Sequence, residues 1–66
     1  MQVSVNGSAM EVEAGTSLTD LLEHMGLGAR WVVAERNGQP VPRGEMAATA
    51  LAEGDRIELV RAVAGG

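Results

Sequence analysis

The sequence contains no cysteine, no lysine, no tyrosine and no phenylalanine. Without cysteine, no disulfide can staple the fold and no thiol can serve as nucleophile or metal ligand. Without lysine, no side-chain amine can form an isopeptide bond, and only the N-terminus offers an amine. The aromatic content is one tryptophan, Trp31, and there is one histidine, His24. No apolar run approaches the roughly 20 residues that a membrane-spanning helix requires. The opening stretch Met1-Gln2-Val3-Ser4-Val5-Asn6-Gly7 lacks the basic region and apolar block of a signal peptide. The expectation is a cytoplasmic protein that does not touch membranes. Basic charge is also scarce, with five arginines against nine acids and a net charge of −4. Nucleic-acid binding needs a clustered basic face, so that class is excluded as well.

What is present fits one small domain spanning residues 1–66. A chain of this size buries only about 60% of its unfolded surface, which leaves no room for a deep cleft ringed by catalytic groups. Residues 1–5 alternate apolar and polar as a half-buried strand does. Asn6-Gly7 comes next, a strong hairpin signal because both central residues of a type I′ turn need positive φ. Residues 8–13 alternate again. A two-residue turn sets Val5 opposite Ser8, Val3 opposite Met10 and Met1 opposite Val12, so one face of the hairpin is apolar. Asn6-Gly7-Ser8 formally matches a glycosylation acceptor and is read as this turn.

The period then changes. Leu18, Leu21, Leu22 and Met25 form the i, i+3, i+4, i+7 stripe of an amphipathic helix of about nine residues. Thr16 or Ser17 can cap its start, Asp20 suits its positive end, and Gly26 with Leu27 suits a left-handed stop. Residues 31–36 predict a third strand ending at Asn37-Gly38, with Trp31 read first as a partly buried strand-end residue and second as a partner contact. Pro40 and Pro42 confine residues 39–42 to a sheet edge or an extended connector. Residues 43–50 can hold a helical turn, Leu51 plugs the core, and Glu53-Gly54-Asp55 turns into a last strand from Arg56. There Ile57 and Leu59 face inward and Glu58 outward.

Hairpin, helix, strand, irregular segment, strand is an α+β order. One helix must cover one face of a mixed sheet of four to five strands, because nothing else can bury its apolar stripe. The final strand is the natural central member, beside the first. This is the β-grasp, or ubiquitin-like, plan, and residues 62–66 would leave the sheet as a free, disordered tail.

Side-chain chemistry is sparse. His24 falls between the apolar helix positions and reads as solvated, and Glu11 and Glu13 lie on the outer face of the hairpin. No metal-ligand spacing and no nucleophilic triad is found. Gly26-Leu27-Gly28 comes after a helix, so it is no dinucleotide fingerprint. No catalytic residue, metal or bound cofactor is therefore expected of this chain. The sequence ends Val63-Ala64-Gly65-Gly66. The five residues beyond Arg61 can reach about 17 Å when extended. Glycine lacks Cβ, so Gly65 and Gly66 can thread a channel too narrow for other residues. The terminal carboxylate is a poor electrophile until an enzyme holding ATP and magnesium converts it to an acyl-adenylate.

With these features in hand, the chain resembles the ThiS family, the sulfur carrier proteins of thiazole (thiamine) biosynthesis. The matching pieces are Val5-Asn6-Gly7, residues 16–27, 32–43 and 51–63, and the terminal Gly65-Gly66. The chain departs from many relatives at Ala62, where a bulky aromatic stands, and at Ala64, where a longer glycine run stands. The resemblance implies that Gly66 carries the reactive acyl group and that Val63, Ala64 and Gly65 thread it into partners. Those partners would be a ubiquitin-activator-like adenylating enzyme, a sulfur donor such as a cysteine desulfurase, and thiazole synthase, which receives sulfur from the Gly66 thiocarboxylate. A related carrier serving molybdopterin or another sulfur-containing metabolite stays open, as does a ubiquitin-like protein modifier. Partners must hold the body of the domain to aim the tail. The sheet face opposite the helix is expected to carry that contact, through Val60 and an arginine, Arg56 or Arg61. The free protein is expected to be a monomer.

Overall fold

The computed structural model describes residues 1–61. Strands β1 (Gln2–Val5) and β2 (Ser8–Glu11) are followed by helix α1 (Leu18–His24) and a 3-10 turn (Ala29–Trp31). Strands β3 (Val32–Arg36) and β4 (Gln39–Val41), a second 3-10 helix (Arg43–Ala48) and β5 (Arg56–Arg61) complete the fold. The sheet order is β2-β1-β5-β3-β4. β5 runs parallel to β1 and antiparallel to β3, so the last strand lies at the centre, as its position in the pattern predicts.

The first hairpin takes the expected register, with Val3 opposite Met10 and Val5 opposite Ser8. Met1 and Val12 extend it through reciprocal bonds, both 2.8 Å, between their main-chain nitrogens and carbonyls. Asn6 (φ 49°) and Gly7 (φ 86°) supply the two positive φ angles of the turn, and Asn37 (φ 53°) and Gly38 (φ 82°) do the same between β3 and β4. Pro40 sits on the edge strand β4, where its missing N–H breaks no interior ladder.

α1 spans seven residues, two fewer than the apolar stripe predicts. Ser17 is the cap: its hydroxyl accepts from the Asp20 N–H at 3.0 Å, and the Asp20 carboxylate accepts from the Ser17 N–H at 3.1 Å. At the other end Gly26 (φ 73°) turns left-handed, with Leu27 N–H donating to Leu22 at 2.8 Å and Gly26 N–H to Glu23 at 3.0 Å, a Schellman motif. A helix this short is held by packing rather than by propensity. Leu18, Leu21 and Leu22 are buried against Val3, Val5, Val32, Ala34 and Ile57 of the sheet. Met46, from the second 3-10 helix, is as deeply buried as the leucines, a core role its surrounding small residues do not signal. Leu51 fills the core as expected, and Leu59 is half-buried against it.

Trp31 departs from expectation. It closes the 3-10 turn ahead of β3 and is 53% exposed. The turn takes Trp31 out of the β3 ladder, whose first rung is Val32 opposite Arg61.

Candidate functional site at the root of the C-terminal segment

Gly66, Gly65, Ala64 and Val63 lie outside the described residues, as does the expectation that this segment is free and disordered. What the fold builds is the strand that carries them. Every residue of β5 from Ile57 to Arg61 pairs with β3, and Arg56 and Ile57 also pair with β1. Beyond Ile57 the first strand turns away, and the side chain of Asn6 takes its place. Asn6 Oδ1 accepts from the Leu59 N–H at 2.8 Å and Asn6 Nδ2 donates to the Leu59 carbonyl at 3.2 Å. At the start of β5, Asn37 Oδ1 accepts from the Arg56 N–H at 2.8 Å. Each Asn-Gly turn thus turns the chain and grips the central strand. Sequence reasoning recognised the turns and missed the grips. Asparagine at both turn positions, a residue that can donate and accept, is the signal that was there to be read.

Asp55 anchors the same end. Its carboxylate accepts from Arg36 Nε (2.8 Å), Asn37 Nδ2 (3.0 Å) and the Ala52 N–H (2.8 Å). Burial pushes this carboxyl up, but the hydrogen bonds from Asn37, Ala52 and Arg36, with the Arg36 charge, outweigh it and hold the group below the ordinary aspartate value.

The sheet face opposite α1 carries Val60 and Val33, which pair across strands and are 63% and 56% exposed. Beside them Glu58 pairs with Glu35, two like charges directly opposite. Arg56 has the same parity as Val60 along β5 and shares its face. Arg61 has the opposite parity, pairs with Val32 on the helix side, and lines a groove of about 350 Å³ with Leu27, Gly28 and Trp31. The predicted docking residues are therefore split between two surfaces: Val60 with Arg56, and Arg61 beside Trp31. His24 is exposed on α1, and Glu11 and Glu13 line a groove with it and Asp20. Among the described residues no group of three His, Cys, Asp or Glu is placed to hold a metal. Among them, too, no helix is long and apolar enough to cross a membrane.

A mixed sheet with the C-terminal strand at its centre and one helix across one face defines a ubiquitin-like β-grasp domain. The chain belongs to the ThiS family, whose model matches residues 3–66. The crystal structure of the thiamine biosynthesis protein ThiS from Geobacter metallireducens superposes with a TM-score of 0.85 at 30% identity, each chain covered completely. The sulfur carrier protein ThiS of Escherichia coli K12 is 35% identical over 66 residues, the full length of both chains. A thiazole synthase of Magnetococcus marinus is 41% identical over 66 residues, all of this chain but 20% of that protein. The chain thus spans about a fifth of the length of that relative.

Proposed function

We propose that this protein is a sulfur carrier for the thiazole moiety of thiamine, acting in the cytoplasm as a co-substrate of other enzymes. The Gly66 carboxylate attacks the α-phosphorus of ATP, held with magnesium by an adenylating enzyme, and pyrophosphate leaves. The terminal sulfur of a persulfide on a donor such as a cysteine desulfurase then displaces AMP to give an acyl disulfide. A thiol cleaves its S–S bond by exchange, forming a new disulfide and leaving the thiocarboxylate. Thiazole synthase takes the sulfur. Val63, Ala64 and Gly65 form the threading segment between the domain and the reactive carbon.

The observation that carries this reading is the end-to-end match: the family model runs through Gly66, and the E. coli sulfur carrier is matched over its whole length. The thiazole synthase relative supports the choice of final acceptor, because a stretch similar to this entire chain occurs within it. The clamping of β5 by β3, β1 and the two asparagines supports the mechanics. A strand fixed on both sides gives a partner a rigid body to hold while it works on the residues beyond Arg61. For that hold, the exposed Val33–Val60 pair with Arg56 offers an apolar centre with a charged rim.

The test is intact-mass measurement after incubation with ATP, magnesium, a sulfur source and the activating enzyme of the same organism. The expected product has one C-terminal oxygen replaced by sulfur, and the chain lacking Gly66 stays unmodified. Sulfur transfer that survives removal of Gly66 rejects the carrier chemistry. Attachment of the chain in amide linkage to lysines of other proteins would instead make it a modifier.

A further inference from the structure

We propose that Trp31, Arg61 and Arg30 form a recognition site at the root of the C-terminal segment, and that its occupant is a carboxylate-bearing loop of the activating enzyme. The inference rests on the carrier reading above and adds to it a surface other than the Val33–Val60 face.

Trp31 is the only aromatic residue in the chain, and more than half of it is exposed. Its main chain is nonetheless part of a hydrogen-bonded turn. Its main-chain N–H donates to the Gly28 carbonyl at 3.0 Å, and the Arg30 guanidinium sits 5.8 Å from its ring centroid. Gly28 makes room for the ring, since a Cβ there would come within 3.3 Å of Trp31 Cδ1. An exposed tryptophan on a hydrogen-bonded turn offers a partner a large apolar ring on an ordered backbone. Tryptophan and arginine are also the residue types that dominate binding energy at interfaces.

Position gives the site its relation to the carrier segment. The ring precedes Val32, and Val32 pairs with Arg61, the last described residue before the segment begins. A protein that receives this segment must close around Arg61, and Trp31 lines the same groove.

Charge selects the occupant. The chain carries −4 overall, yet among the described residues no acid lines the groove shared by Trp31 and Arg61. Five of the nine acids lie on other surfaces: Glu35 and Glu58 on the outer sheet face, and Glu11, Glu13 and Asp20 around one groove beside the helix. Among the described residues the only ion pair is Arg36–Asp55. A partner carboxylate would meet a guanidinium that can bind it through two parallel N–H bonds, while an apolar side chain next to it covers the indole.

A single tryptophan makes the test direct. Protein grown with 5-fluorotryptophan gives one fluorine resonance, from position 31. Titration with unlabelled activating enzyme should shift and broaden it. The shift should need at least tenfold more enzyme for Arg61→Glu, and binding by Trp31→Ala should weaken similarly, while both variants keep the parent's unfolding midpoint. Arg61→Lys should recover part of the loss. A complex that forms without moving the resonance overturns the site. So does a shift produced by ATP and magnesium alone, which would make the groove a nucleotide site. The mass measurement on the same samples separates the two claims. Sulfur gain with an unmoved resonance removes only this site, whereas a moved resonance without sulfur gain removes the carrier reading and keeps the interface.

Discussion

Asn6 and Leu59 are 53 residues apart in the chain, yet the amide of one meets both backbone groups of the other, at 2.8 and 3.2 Å. The side chain completes a parallel ladder that the main chain of β1 abandons when it turns. The strand that leads into the C-terminal segment is thereby held on both edges as far as Leu59.

Replacing Asn6 by glycine keeps the positive φ of the turn and removes only the amide. We expect a loss of about 1–2 kcal/mol in urea unfolding, the scale of one or two hydrogen bonds left unmade. Native-state hydrogen exchange gives the sharper readout, because the Leu59 amide should lose protection before its neighbours. Unchanged exchange at Leu59 would mean that the grip contributes nothing.

Asp55 predicts the acid limb of stability. Its folded-state value lies below the ordinary one, so its contribution is complete above the unfolded value and is lost as pH falls through the folded value. Urea unfolding followed from about pH 6 to pH 2 should show that decline. Asp55→Asn should cost about 2–4 kcal/mol near neutrality, because Arg36 and the Ala52 N–H lose a buried charged acceptor, and should flatten the acid limb. Arg36 remains one-third exposed at its side chain, which keeps the expected cost from being larger. An acid limb of undiminished slope in the variant would assign the pH dependence to other carboxylates.

Leu21→Ala and Met46→Ala should each cost about 2–5 kcal/mol, since both side chains are almost wholly buried. In a domain this small, that approaches the whole of its stability. Thermal unfolding by circular dichroism should show both variants largely unfolded at room temperature. A Met46 variant indistinguishable from the parent would show that the second 3-10 helix detaches without consequence.

On the outer sheet face, Val60→Ala and Arg56→Ala should raise the KM for adenylation by the activating enzyme. Their effect on stability should stay within about 0.5 kcal/mol, as is usual for exposed positions. Unaltered kinetics in both would remove this face from the docking surface.

Glu35 and Glu58 face each other directly across β3 and β5. Glu58→Gln should therefore stabilise the fold by about 0.2–1 kcal/mol, more at low salt than at high. A destabilised variant at low salt would contradict the repulsion.

Much of this protein was determined by short-range rules. Asn-Gly with flanking period-two alternation is sufficient for the first hairpin and its register, because turn geometry and side-chain parity act within a few residues. The spacing of Leu18, Leu21 and Leu22 determined which side of α1 is buried, and Ser17, Asp20 and Gly26 determined where it starts and stops. Parity along β5 also separates Val60 from Arg61, although the expected docking face admits both. Tertiary structure decided the features that depend on residues distant in sequence. Only the assembled sheet brings Asn6 to Leu59 and Arg36 to Asp55, buries Met46 under a helix, and ends the β3–β5 ladder at Val32 so that Trp31 stands in the open. Local sequence encodes backbone preferences and apolar faces. Which polar groups find one another, and which large side chain is left uncovered, depends on how the finished elements pack.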